Sequence, residues 1–512
     1  MTIELSEQQK KIVFAEDIAI YVKTSAGSGK TRVLTERVRY LLTKTKKKIL
    51  ALTFTNKAGE EIKERLSDIS EIEKRTFIGT FHGFCQYMLE NHGYLIGLTR
   101  MPHIFENEAR LKLIEQAINQ TPSYAGKYTR QDKKDQTNHC YQILNFISKV
   151  KRELIDDNDL GQHTDDENRV LLYKNYQDIL RTQNAMDFDD LLLFAYKLLI
   201  YHPKIAALYH RNFFAICIDE AQDLNNAQYK FLIALTNGEF TNIMMVGDPN
   251  QSIFHFNGSS PDYMDKQFVH DFKPVVIKLT ENYRSAKKIL EAAKKIIPTA
   301  EYIPGTVKEG IFEIQSFEDE NCEAEWVMNK IKYLLALNKH NDIEGEIICE
   351  KIAVLARNKY IFNQLANKLN KLKEEIPFYY KMTPGTIQFE SDLMKIFELA
   401  LKVKINPHDI LHKQQLLNRL KIAENMDLDN AIPLITDELT KNLIILVTEL
   451  HKDGNNLKRT LENFKNELTI EDENEKNMIF NEIDELLKHW HNYAKKTNNK
   501  SLHQFKNSMA QG

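Results

Sequence analysis

Thr24 to Thr31 reads T-S-A-G-S-G-K-T. In front of it stands an apolar, β-branched run, Ile18, Ala19, Ile20, Tyr21 and Val22. Behind it, Val33, Leu34, Val38, Leu41 and Leu42 recur at helical spacing. That order predicts strand, tight glycine turn and helix, a geometry that aims backbone N–H groups and the positive end of a helix at an anion. Gly27 and Gly29 let the main chain wrap phosphates with no Cβ in the way. Lys30 has the reach for β- and γ-oxygens, and the Thr31 hydroxyl suits Mg²⁺. Thr24 stands where the strict G-x-x-x-x-G-K-T pattern has its first glycine.

The 512 residues suffice for about three or four domains with their own cores. With 42% hydrophobic and 28% charged residues and no apolar run long enough to span a bilayer, the composition is that of a soluble protein and gives no membrane partner. The first ten residues carry no apolar signal core, so the cytoplasm is the expected compartment. Cys85, Cys140, Cys217, Cys322 and Cys349 lack C-x-x-C spacing, which argues against a disulfide framework or a zinc site and for core thiols. The net charge of −3 confines any nucleic-acid contact to a local groove. The run Lys46, Lys47 and Lys48 reads equally well as a solvated loop.

Outward from the glycine turn, Leu5 to Gln9 (L-S-E-Q-Q) predicts a capped helix start, with a glutamine able to read an adenine edge. Ile49 to Phe54 predicts a second strand, leaving Phe54 at the carboxyl end where open α/β sheets bind ligands. T-F-I-G-T-F-H-G-F (Thr76 to Phe84) interleaves aromatics, hydroxyls and a histidine. It suits stacking on single-stranded nucleic acid, or a packed aromatic core. Residues 90–182 read as an inserted helical domain, after which D-F-D-D-L (Asp187 to Leu191) carries three carboxylates on a resumed helix.

Phe213 to Asp223, F-F-A-I-C-I-D-E-A-Q-D, predicts a buried strand ending in two carboxylates. Alternation along a strand would send Asp219 and Glu220 opposite ways, one toward Mg²⁺ and one toward an attacking water. A strand at Ile243 to Val246 precedes G-D-P-N-Q-S-I-F-H-F-N-G, whose Gln251 could sense a γ-phosphate and whose Phe254 and Phe256 could meet a base. A fifth strand, Val275 to Leu279, leads into T-E-N-Y-R-S, where Tyr283 offers a ring and Arg284 a phosphate fork.

Taken together, T-S-A-G-S-G-K-T, L-T-F-T-N-K-A, G-T-F-H-G-F, D-F-D-D-L, I-D-E-A-Q-D, V-G-D-P-N-Q-S-I-F and N-Y-R-S resemble the ordered motif set of the UvrD/Rep/PcrA family of superfamily 1A helicases. Glu323 to Val327, Ile352 to Asn358 and Ile376 to Phe378 resemble the start of that family's second motor domain. The resemblance implies an α/β fold: RecA-like parallel-sheet motor domains with helical insertions, the second motor incomplete. It implies a first motor over 1–90 plus 183–278, a helical insertion over 91–182, part of a second motor over 279–392, and a second helical insertion over 393–512.

By the same resemblance, ATP is held by Gln9, Ser25, Ala26, Gly27, Ser28, Gly29, Lys30, Thr31, Arg32 and Tyr283, and Mg²⁺ by Thr31 and Asp219. Catalysis falls to Glu220 as general base with Lys30, Gln251 and Arg284 on the phosphates. Phe54, Thr55, Asn56, Thr80, His82 and Phe256 fall where the family contacts single-stranded DNA. Phe256 takes a place often held by tryptophan. Asn257 replaces an arginine usual in that loop, which bears on how tightly ATP and DNA are coupled. The H-S-x-K-G-L-E and T-R-A motifs are absent from the 512 residues. The expectation is therefore a second motor without its latter half, giving weak hydrolysis by this chain alone.

The leading function is a translocase and helicase on single-stranded DNA and ss/dsDNA junctions, in repair, recombination or phage defence, with the 3′ to 5′ direction implied by the resemblance alone. The alternative is a DNA-binding ATPase module that depends on a protein partner.

Overall fold

The computed structural model describes residues 4–510 apart from 18, 99–100, 239–241, 306–307, 344, 358, 371–375, 377–388, 423–425, 471 and 497–499. Ile18, Asn358 and the Pro377–Phe378 pair of the expected motifs lie outside the described residues.

Six parallel strands form the central sheet: β1 (Ala19–Thr24), β2 (Lys48–Thr53), β3 (Thr76–Thr80), β4 (Phe213–Ile218), β5 (Ile243–Gly247) and β6 (Val275–Leu279). Their spatial order is β3-β2-β4-β5-β1-β6, with all five adjacent pairings parallel. Both faces are covered, as an all-parallel sheet requires. Alternate residues divide between them. Tyr21, Leu50, Leu52, Ile216, Ile218 and Met245 pack against the helices Phe81–His92, Phe188–Tyr201 and Asn226–Thr236. Ile20, Val22, Ile49, Ala51, Cys217 and Val246 pack against Glu7–Val13, Lys30–Lys44 and Asn56–Arg65. The Thr76–Phe84 cluster supplies the strand that sequence reading did not assign. Phe81 and Phe84 are fully buried, so those two rings are core, not base-stacking surface.

The two segments read as helical insertions are helical among the described residues. Asn107–Asn119, Lys133–Arg152 and Glu167–Thr182 bury one core. Six longer helices between Asp392 and Ala510 bury another. The segment between them differs from expectation. Instead of a second motor sheet, the described residues 279–392 hold the two-residue pair Glu281–Asn282 and Ile303–Pro304, three α-helices, two short 3-10 helices and a small core. The apolar runs there have no strand beside them among the described residues, and Ile314 and Leu355 are 81% and 91% exposed. Cys85, Cys140 and Cys217 are buried thiols, whereas Cys322 is exposed. No single helix among the described residues is long and apolar enough to cross a membrane.

The helix Leu502–Ala510 docks on the strand His103–Ile104 of the first insertion, Asn507 Oδ1 accepting from the Ile104 N–H at 3.2 Å. The rings of His103 and His503 meet there at 4.2 Å. Burial, and then the charge of neighbouring His503 and His412, pushes His103 down to about 2. Burial pushes His503 down to about 4. Both are neutral in the fold but take a proton near 6.5 once unfolded. Their contribution is therefore complete above that value and is lost as pH falls toward the folded values. Acidification from about pH 7 to about pH 5 is expected to lower the denaturant midpoint, buried His103 alone contributing about 1–2 kcal/mol. His503→Phe should narrow the difference, and an identical pH dependence in that variant would place the effect elsewhere.

Candidate nucleotide site and nucleic-acid interface

Because the six strands are parallel, their carboxyl ends share one edge, and the polar residues of the motifs emerge along it. Gly27 and Gly29 have φ of +69° and +84°, left-handed backbone that glycine adopts without strain. A Cβ on Gly27 would also lie 2.5 Å from Asn282 Nδ2. Gly29 is the N-cap of Lys30–Lys44 and offers no capping side chain, so the helix N–H groups point out toward a ligand.

The loop is tied down around this opening. Ser28 Oγ donates to the Ser25 carbonyl at 2.7 Å, and Ser25 Oγ to the Glu301 carbonyl at 2.6 Å. Asn282 Nδ2 donates to the Ala26 carbonyl and the Tyr283 N–H to Gly27 O at 3.0 Å. Asn282 is fully buried, and its Oδ1 accepts from the Arg284 and Ser285 N–H groups at 3.0 and 2.7 Å. It organises the N-Y-R-S turn, a role no local pattern announced.

The carboxylates face the cradle together. Glu220 Oε2 lies 2.7 Å from Lys30 Nζ, and Thr31 Oγ1 donates to Asp219 Oδ2 at 3.3 Å. Strand alternation does not produce this, contrary to the expectation. The strand ends at Ile218, and Glu220 takes φ +50°, a left-handed turn that brings its side chain back to the same side as Asp219. Burial first, and the Glu220 charge second, pushes Asp219 up to about 7, against the pull of Lys30. A buried carboxyl beside a hydroxyl and short of positive charge is a donor set that fits a hard divalent cation.

Gln222 joins this group to the next strand end. Its Nε2 donates to Glu220 Oε2 at 2.8 Å and its Oε1 accepts from the Asp248 N–H at 3.0 Å, while Gln251 Nε2 donates to Asp248 Oδ2 at 2.6 Å.

The remaining expected residues divide. Gln9 is buried beside the cradle, but its amide is shared between the Ser6 N–H, in a capping box, and the Ser28 carbonyl. Arg32 lies in the first turn of the helix Lys30–Lys44. Tyr283 is half exposed with its hydroxyl on Glu281, and Arg284 is exposed at the mouth. Thr55 and Thr80 cap helices through the Ala58 and Gly83 N–H groups, with Asn56 the first residue of its helix. The Phe54 ring lies 4.6 Å from Phe254, tilted by 34°, and Phe254 lies 6.0 Å from Phe256. Phe256 is 79% exposed, a large ring held in solvent. His82 lies 5.1 Å from the Phe188 ring, and burial pushes it down to about 4, so it is neutral.

The three D-F-D-D-L carboxylates are buried and paired. Asp187 takes Lys151 at 2.8 Å and Arg110 at 3.2 Å, Asp190 takes Lys151 at 2.7 Å, and Asp189 takes Arg152 at 2.8 Å.

Against this geometry stand the comparisons with known proteins. The model of the UvrD/REP helicase N-terminal domain matches residues 5–297, more than half of the chain. The chain belongs to the UvrD/REP helicase family. The model of the UvrD-like helicase C-terminal domain matches residues 277–511, so the expectation of a chain lacking its C-terminal part finds no support. Among curated relatives, a probable DNA helicase II homolog of Mycoplasma capricolum is 29% identical over 89% of this chain and 66% of its own length. The ATP-dependent DNA helicase UvrD1 of Mycobacterium leprae is 30% identical over 81% of this chain and 54% of its own. The ATP-dependent DNA helicase PcrA of Staphylococcus epidermidis is 30% identical over 81% and 55%. The chain thus spans between about half and two thirds of the length of these family members.

Proposed function

We propose that the chain is an ATP-driven DNA motor. It moves 3′ to 5′ on single-stranded DNA, engages ss/dsDNA junctions, and serves repair, recombination or phage defence in the cytoplasm. One observation carries this reading: the paired contacts Lys30–Glu220 and Thr31–Asp219 share a sheet edge with the ring row Phe54, Phe254 and Phe256. Residues 1–90 with 183–278 form the motor unit, 279–392 belong to a second motor, and 91–182 and 393–512 are the helical insertions.

Thr31 and Asp219 would hold Mg²⁺, which supplies charge neutralisation at the phosphates. Lys30 Nζ pairs with Glu220 at 2.7 Å. Phosphate oxygens take Lys30 in its place, and the freed Glu220 carboxylate accepts the proton of the attacking water. Gln251 and Arg284 meet the γ-phosphate, and the Tyr283 ring stacks on adenine. Reading of the adenine edge by Gln9 competes with its capping box.

The test is DNA binding and strand displacement by the purified chain. Phe256→Ala is expected to weaken single-stranded DNA binding by about 1–3 kcal/mol, the worth of one base–aromatic stack. Its exposure means the melting temperature should stay put. Lost stability with unchanged DNA affinity would instead make Phe256 structural. A second reading, an ATPase module covered by a protein partner, is favoured by the exposed Ile314 and Leu355. Co-purification of a stoichiometric partner would support it.

A further inference from the structure

The loop that carries Phe256 ends at Asn257, where the family resemblance leads one to expect an arginine. A guanidinium is nevertheless present. Arg152, the last residue of the helix Lys133–Arg152, donates from Nη1 to Asn257 Oδ1 at 3.1 Å. Its Nε donates to Asp189 Oδ1 at 2.8 Å. Asp189 is itself 6% exposed and shared with Arg110, 3.4 Å away, so the guanidinium is oriented by a buried anion. The next residue, Glu153, accepts through its carbonyl from Asn226 Nδ2 at 3.0 Å, at the start of the helix that follows the D-E-A-Q-D segment. The end of one inserted-domain helix therefore touches both the aromatic loop and the element behind the carboxylates. The Arg152 charge is also felt at His82.

We propose that Arg152 is a positioning residue: bridging Asp189 and Asn257, it holds the 252–258 loop against the inserted domain and so sets where Phe256 is presented to single-stranded DNA. The planar fork suits this role because two separate donors reach two acceptors at once, which a lysine ammonium on a flexible stem does poorly. The inserted domain and the DNA-contacting ring thereby share one hydrogen-bonded link. The DNA half of this inference rests on the function proposed above; the holding of the loop does not.

The experiment uses the full chain, as wild type, Arg152→Ala, Arg152→Lys, Asn257→Ala and Phe256→Ala, with a labelled oligothymidine. Amide hydrogen exchange of residues 252–258 reads the loop without DNA. It should quicken in Arg152→Ala and Asn257→Ala and less in Arg152→Lys, while binding of a fluorescent ATP analogue stays close to wild type in all three and thermal melting does so in Asn257→Ala. Oligothymidine affinity should fall about tenfold in Arg152→Ala, the scale of one lost charged hydrogen bond. That loss should vanish in a Phe256→Ala background, because the arginine acts through the ring. A direct phosphate contact would instead give additive losses and a lower salt slope, and would overturn the positioning role. Unchanged loop exchange in both Arg152→Ala and Asn257→Ala would overturn it as well. Quickened exchange in a chain whose wild type does not bind oligothymidine would support the loop-holding role and overturn the DNA reading alone. Asn257→Ala leaves the Asp189 pair intact, so it decides the matter if Arg152→Ala does not fold.

Discussion

Glu220→Gln should abolish most ATP hydrolysis, by about 10²- to 10⁴-fold, while leaving nucleotide binding intact. The amide preserves the shape of the side chain and its seat between Lys30 and Gln222, but it is no base. The geometry adds a second expectation. Because Glu220 competes with phosphate for Lys30, the neutral variant should bind ATP at least as tightly as the wild type. Lys30→Ala should do the reverse, weakening binding itself. Single-turnover hydrolysis and equilibrium nucleotide titration separate the two. A Glu220→Gln protein hydrolysing at the wild-type rate would remove this carboxylate from the mechanism.

Asp187→Ala is expected to cost about 3–5 kcal/mol of stability, the penalty for leaving buried charge unpaired. The side chain is wholly buried and accepts from Lys151, from the Tyr176 hydroxyl at 2.9 Å and from Arg110, while capping the Asp190 N–H at 3.1 Å. Burial by itself opposes ionisation of Asp187, but Lys151 and Arg110 outweigh it and hold the carboxyl below its usual range. Burial together with Asp187 raises Asp190. Removal leaves the Lys151 ammonium, also fully buried, with Asp190 as its one carboxylate partner among the described residues. Asp187→Asn keeps the cap and loses only the charge, so it should cost less. Denaturant midpoints that match the wild type in both variants would show the cluster to be dispensable. Since Arg152 belongs to the same cluster through Asp189, Asp187→Ala should also quicken exchange in the 252–258 loop.

What could be read in the chain was what lies within a few residues of itself. The glycine turn, the strand before it and the helix after it are contiguous. Period and spacing anticipated the strand, the turn with its left-handed Gly27 and Gly29, and the helix, and the helices of residues 91–182 and 393–512 were legible from their periodicity. Five of the six sheet strands announced themselves as apolar runs. The sixth, Thr76–Thr80, did not, because threonines and a glycine dilute its pattern and only pairing with Lys48–Thr53 makes it a strand. The tertiary structure alone decided how the pieces meet. The left-handed turn at Glu220 set the aim of a carboxylate whose place in the chain was obvious. Asn282, Gln222 and Arg152 matter through partners 256, 26 and 105 positions away. The apolar side chains of Ile314 and Leu355 stay exposed, with no strand beside them among the described residues. A strand needs a neighbour to satisfy its backbone, and sequence records the propensity of a segment, not the presence of the segment it must pair with.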